Sequence, residues 1–192
     1  MTESFPLPQD LPIPTSTKEA QHLPGHPLPP LIELSSTSGG YIDLFLLSLK
    51  RPILVFIYPR TGAPGEQIKD SWNQIPGARG CTPELCSIRD DIQPLLLKEP
   101  DLAIFALSTQ TTEYQQEVVQ RLKLPFPILS DCEFKLQKAL DLPTFEWQST
   151  KYLQRITLLL REGQITQIHY PVFPSNTAAK VALSLLAGPK HE

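Results

Sequence analysis

The chain has 192 residues, 41% of them hydrophobic, and a formal net charge of −3. That length suits one domain with a tail and a sizeable core. The charge leaves no basic footprint for nucleic acid and no polybasic membrane patch, and no apolar run approaches the ~18 residues of a bilayer span.

In chain order, the start Met1-Thr2-Glu3-Ser4 lacks the basic and apolar stretches of a secretory signal. No arginine precedes Arg51, which argues against a transit peptide, so a reducing cytoplasm is the expected compartment. Eight of the 21 prolines fall in the first 30 residues. Residues 1–24 are therefore expected as a proline-rich arm, solvated or draped on a domain of residues 25–192. Residues 31–34 and 41–44, joined through Gly39-Gly40, predict a hairpin. Residues 53–58 and 102–107 are continuous apolar runs, expected as strands covered on both faces. A helix between them implies a parallel pair linked by a right-handed crossover. That helix is predicted to start near residue 82, with Thr82 accepting from the first turn, Pro83 fitting that turn, and Leu85, Ile88 and Ile92 at helical spacing. Pro94 should end or kink it.

Further on, Tyr114, Val118 and Leu122 mark a helix over 112–123, followed by a strand over 126–129 and a helix over 133–140. Residues 152–160 and 164–170 predict an antiparallel hairpin turning at Arg161-Glu162-Gly163. Ser175 is expected to cap a last helix carrying Ala178, Val181, Leu185 and Leu186, closed by Gly188-Pro189. The sum is an α/β fold, a mixed central sheet with helices on both faces. His22, His26, His169 and His191 are scattered without metal-ligand spacing.

The chemistry concentrates at Cys81 and Cys86. Cys81 stands at the start of the predicted helix with Arg79 just upstream, and the positive helix end and the arginine both favour a negative sulfur. The alternative is a pair of small buried hydrophobes. In an unbroken helix the two Cα atoms would lie roughly 8 to 9 Å apart, whereas a disulfide needs less than about 7 Å. Joining the thiols thus requires the first turns to unwind, which makes the pair a switch.

Several segments resemble the peroxiredoxins, and within them the Q-type group, also called bacterioferritin comigratory protein-like, over residues 25–187. They are Tyr58-Pro59 at a strand end, Gly80-Cys81-Thr82 with Cys86 behind it, Ser87-Ile88-Arg89-Asp90, Leu124-Pro125-Phe126-Pro127-Ile128-Leu129-Ser130-Asp131, and Arg155 entering the last hairpin. The resemblance implies a thioredoxin-like fold and a thiol peroxidase that needs no metal, haem or flavin. Cys81 would attack a hydroperoxide and become a sulfenic acid, Cys86 would resolve it to an intramolecular disulfide, and thioredoxin or a similar dithiol would reduce that bond. Arg155 would hold the thiolate and polarise the peroxide. The Q-type resemblance leans towards a monomer.

One departure from the family stands out. The usual loop is Pro-x-x-x-Thr-x-x-Cys, but Gln74 and Ala78 occupy those positions here, and Tyr58-Pro59-Arg60-Thr61 lies across an inserted stretch from Gly62 to Arg79. If the insert bulges out and returns, Pro59 shields the thiolate and Thr61 offers its hydroxyl to peroxide. Otherwise that role is vacant or passes to Thr82. The insert, with Trp72, reads as a lid, a docking surface or a packed loop. Arg79 and Arg89 are further cations near the pair, Arg89 with Asp90 or Asp91 as a surface partner. Cys132, at an expected helix start, is taken first as a packing residue. Two rivals to the peroxidase remain: a thiol–disulfide oxidoreductase, for which the spacing is too long, and a redox sensor or binding module switched by the Cys81–Cys86 bond.

Overall fold

The computed structural model describes residues 7–188, so Met1-Thr2-Glu3-Ser4, Pro189 and His191 lie outside the described residues. Alternation along the central strands sets the architecture. In β3 (Ile53–Ile57) every residue is buried; Leu54 and Phe56 pack to one face, Ile53, Val55 and Ile57 to the other. Only a strand covered on both sides accepts such a run. It pairs in parallel with β4 (Ala103–Ser108), and β4 in parallel with β5 (Ile128–Ser130). The full order is β2-β1-β5-β4-β3-β8-β9. The hairpin of β1 (Glu33–Ser36) and β2 (Tyr41–Asp43) closes one edge, and that of β8 (Ile156–Arg161) and β9 (Gln164–His169) the other, all antiparallel.

Asp43 ends β2 and caps α1 (Leu44–Ser48), accepting from the Leu46 amide at 3.0 Å; the predicted strand ran one residue further, to Leu44. Within the insert, α2 (Asp70–Asn73) is a single turn. On one face of the sheet lie α3 (Cys81–Asp90), α4 (Ile92–Lys98), α5 (Thr112–Leu122) and α7 (Ala178–Leu186); the other face is covered by α1, α6 (Lys135–Leu140) and the described part of the arm. Ala20 and Leu23 of that arm are fully buried, and Gly25 and His26 just after it exchange backbone bonds with Ile165, so this part of the arm is draped on the sheet rather than solvated.

Four local expectations are corrected. The helix starts at Cys81, close to the expected residue 82, but Gly80 is its N-cap, with φ 105, and Thr82 does not cap it. The break falls at Asp91, and Pro94 sits in the first turn of α4, where its missing N–H costs nothing. Residues 152–160 are not one strand. β7 (Thr150–Leu153) belongs to a separate ribbon with β6 (Thr144–Trp147), and the chain changes sheet at Gln154-Arg155 before β8. Finally, Ser175 begins a short 3-10 turn before α7 without capping it; its buried hydroxyl has no partner among the described residues.

Candidate active site

The end of β3 and the start of α3 meet at one sulfur. Gly80 makes the approach possible: a Cβ there would lie 2.1 Å from Ser175 Oγ and 2.8 Å from Leu7 Cδ2, and its positive φ suits glycine alone. The Gly80 carbonyl accepts the first helical bond from Glu84 at 3.0 Å. Cys81 therefore opens the helix, where unpaired amides and the macrodipole favour negative charge. Its side chain is only 4% exposed.

Arg155 reaches this sulfur from the joint between β7 and β8. Its Nη2 donates to Cys81 Sγ at 3.3 Å and to the Ala78 and Arg79 carbonyls at 3.3 and 3.4 Å, while Nε donates to the Gly77 carbonyl at 3.3 Å. Nη1 forms a buried ion pair with Glu84. One guanidinium thus ties together the end of the insert, the first turn of α3 and the reactive sulfur. Burial pushes the Glu84 carboxyl up to about 7, against the opposing pull of the Arg155 charge. Burial also raises the neighbouring Tyr58 phenol above its ordinary range, so it stays protonated. The thiol itself contacts the Ala78 carbonyl at 3.7 Å.

Across from the sulfur, the insert leaves β3 and returns, forming a cavity of about 430 Å³ whose lining includes both Thr61 and Cys81. Thr61 is held from three sides. Its amide and hydroxyl donate to Gln110 Oε1 at 2.8 and 3.2 Å, and its carbonyl accepts from Gln110 Nε2 and the Tyr114 hydroxyl, each at 3.0 Å. Pro59, two residues earlier, is buried and does not line the cavity. Thr82 lines the same cavity as Thr61.

The insert is fastened by aromatic packing. Trp72, 6% exposed, has ring centroids 5.6, 5.1 and 5.2 Å from Phe145, Trp147 and Tyr152 of the β6–β7 ribbon, and Trp147 Nε1 donates to Ser71 Oγ at 3.1 Å. It is a packed wall of the cavity.

Cys86 is buried five residues along α3, and all three cysteines are thiols. Cys132 is exposed, which corrects its assignment as a packing residue. Arg89 pairs with Asp90 at 2.8 Å and donates to the Leu122 carbonyl at 2.7 Å, so it serves the helix end. Glu84 and Gln110 were missed from sequence. Glu84 had a signal, a carboxylate one helical turn after a cysteine at a helix start; Gln110, on a loop after β4, had none.

Residues 24–185 match the Redoxin family. The chain belongs to that family. Among curated proteins, it is 26% identical over 116 residues to a chloroplastic peroxiredoxin Q of Sedum lineare, covering 60% of this chain and 53% of that one. The chain spans about half the length of the curated relatives it matches. Among solved structures, peroxidoxin BcpB of Mycobacterium tuberculosis superposes with a TM-score of 0.67 at 19% identity, covering 86% of this chain and 96% of the other. A bacterioferritin comigratory protein of Xanthomonas campestris, whose alkyl peroxide reduction has been studied structurally, gives 0.63 at 20% identity, with coverage of 81% and 90%. These likenesses bear out the thioredoxin-like fold and the Q-type resemblance. Among the described residues no helix is long and apolar enough to cross a membrane.

Proposed function

We propose that this redoxin is a thiol peroxidase with Cys81 as its nucleophile. The observation that carries the reading is the Arg155 donation to Sγ at 3.3 Å, on a sulfur that opens a helix and lines a cavity with Thr61. Such a sulfur is held where an incoming hydroperoxide meets a permanently charged donor. The S–O bond forms as the O–O bond breaks; the leaving oxygen takes a proton and departs as water or an alcohol, and Cys81 becomes a sulfenic acid. The Thr61 hydroxyl is the candidate partner for the peroxide, positioned by Gln110 and Tyr114. Pro59, buried two residues before Thr61, is the candidate shield of the thiolate from outside the cavity lining.

Cys86 then attacks the sulfenic sulfur, expelling water and forming the Cys81–Cys86 disulfide. Both thiols lie on one continuous helix, where five residues span roughly 8 to 9 Å, so the first turns of α3 unwind for this step. Thioredoxin or a similar dithiol restores the pair by exchange. The relationship to a Xanthomonas campestris protein studied for alkyl peroxide reduction supports organic hydroperoxides as substrates beside hydrogen peroxide. A cytoplasmic, monomeric enzyme is the accompanying proposal, with residues 1–24 as an arm to a domain of residues 25–192.

The test is steady peroxide consumption coupled to thioredoxin and its reductase. Turnover that disappears in Cys81→Ser supports the assignment. Oxidation that occurs only once, without turnover, would favour a redox sensor instead.

A further inference from the structure

The cavity beside Cys81 is far larger than the smallest peroxide requires. A water molecule's share of liquid volume is about 30 Å³, so the two oxygens of hydrogen peroxide occupy roughly 60 Å³; the cavity holds about 430 Å³. Its volume falls in the range of sites for small organic molecules. Two chemistries fill the rest of the lining. Pro64, Ile68, Trp72, Pro83 and Trp147 form an apolar wall. The lining also carries four cationic side chains, Arg60, Lys69, Arg79 and Arg121, and a single carboxylate, Glu66.

Three of those cations are engaged. Arg60 pairs with Glu66 and sits 5.6 Å over the Trp72 ring. Arg121 pairs with Glu117 at 2.7 Å and donates to the Gly62 carbonyl at 3.2 Å, pinning the insert. Lys69 lies 5.7 Å over the Trp147 ring and donates to Gln148 at 3.4 Å. Arg79 is different. It has no ion pair among the described residues, and its Nη1 is buried without a hydrogen-bond partner there. Arg79 as a whole is half-buried and its charge interacts with the Cys81 sulfur, but Nη1 is shut off from water, and the complement of such a donor is an anionic, planar acceptor.

We infer that the cavity selects organic hydroperoxides bearing a carboxylate, with the hydroperoxide at Cys81, the carboxylate on Arg79 and the carbon chain against Trp72 and Trp147. This rests on the peroxidase reading and adds the substrate class. The carboxylate is unchanged in the reaction: S–O forms, O–O breaks, and a hydroxy acid leaves as Cys81 is oxidised. The insert explains the selectivity, because it supplies Arg79, Trp72, Pro64 and Ile68 to the lining.

The experiment is rapid-mixing oxidation of the reduced full chain by three probes: hydrogen peroxide, a short aliphatic hydroperoxy acid and that acid's methyl ester. A charge-assisted contact predicts that the acid reacts about tenfold faster than the ester, an advantage that shrinks with salt. Arg79→Gln should bring the acid-to-ester ratio to one or below, and Arg79→Lys should keep most of it. Equal rates for acid and ester in the native chain, or a ratio untouched in Arg79→Gln, overturn the substrate assignment while hydrogen peroxide reduction leaves the peroxidase standing. If none of the three probes oxidises Cys81, the peroxidase reading falls first and the substrate class with it.

Discussion

Replacing Arg155 with methionine removes two functions at once, and a second substitution tells them apart. The guanidinium donates to Cys81 Sγ at 3.3 Å, and it pairs with a Glu84 carboxylate that is fully buried. Loss of one preorganised donor at a site of developing charge costs about 2.7 to 4 kcal/mol, or roughly 10² to 10³ in rate. Removing Arg155 takes the opposing positive charge away from a carboxyl that burial already pushes up to about 7, so Glu84 takes up a proton and loses its buried donor, which destabilises by about 1 to 3 kcal/mol. Arg155→Met is therefore expected to slow oxidation by hydrogen peroxide at least about a hundredfold and to lower the urea midpoint. Adding Glu84→Gln replaces the unpaired carboxyl with a neutral amide and should recover about 1 kcal/mol of the stability without recovering the rate. The assays are rapid-mixing fluorescence of Trp72 and Trp147 for oxidation and urea unfolding for stability. An Arg155→Met protein that oxidises within about threefold of native, a difference under 1 kcal/mol, refutes the catalytic role. Rate and stability recovering together in the double variant would mean that misfolding caused the slow reaction.

Glu84 also predicts a pH dependence. Its carboxyl sits at about 7 in the fold against an ordinary value of 4.5, so the native state holds the extra proton between them. Stability then falls as pH rises across that window, because the unfolded chain releases this proton at lower pH than the fold does. In Glu84→Gln this contribution vanishes, which urea midpoints at pH 5 and pH 8 compare directly. Gly80→Ala forces a Cβ to within 2.1 Å of Ser175 Oγ at a φ of 105, and should cost about 1 to 3 kcal/mol and slow oxidation by displacing Cys81; thermal melts and rapid mixing read the two effects. Cys86→Ser should trap oxidised Cys81 as a sulfenic acid detectable by a nucleophilic probe, and the native chain should lose far-UV helical signal on oxidation where Cys86→Ser does not. Trp72→Ala, which empties a buried aromatic site between the insert and the β6–β7 ribbon, should destabilise by about 3 to 5 kcal/mol in urea unfolding.

Where the chain declares its own period, structure was legible. The runs containing Leu54-Val55-Phe56 and Ile104-Phe105-Ala106 admit only strands buried on both faces, and Leu85 and Ile88 place the cysteines on a helix. The β6–β7 ribbon gave no such sign. Its turn residues Gln148 and Ser149 both have positive φ without a glycine or asparagine to announce it, so Tyr152 read as the start of a longer strand. The site divides in the same way. Cys81, Cys86 and Arg155 were readable from motif and resemblance, and Thr61 from the conjecture that the insert returns. Glu84 stood one turn after a cysteine at a helix start, a signal outweighed because a lone helical glutamate ordinarily faces water; only the three-dimensional closeness of Arg155 makes its burial tolerable. Gln110 positions Thr61 from 49 residues away, a pairing that no local pattern encodes.

Peptide mapping after one equivalent of hydrogen peroxide reaches the central claim most directly, since Arg79 and Arg89 bracket one tryptic peptide carrying both Cys81 and Cys86. The account predicts that this peptide becomes resistant to alkylation and lighter by two hydrogen atoms, and that dithiol reduction restores both. A peptide whose two thiols remain alkylated while peroxide is consumed would contradict it.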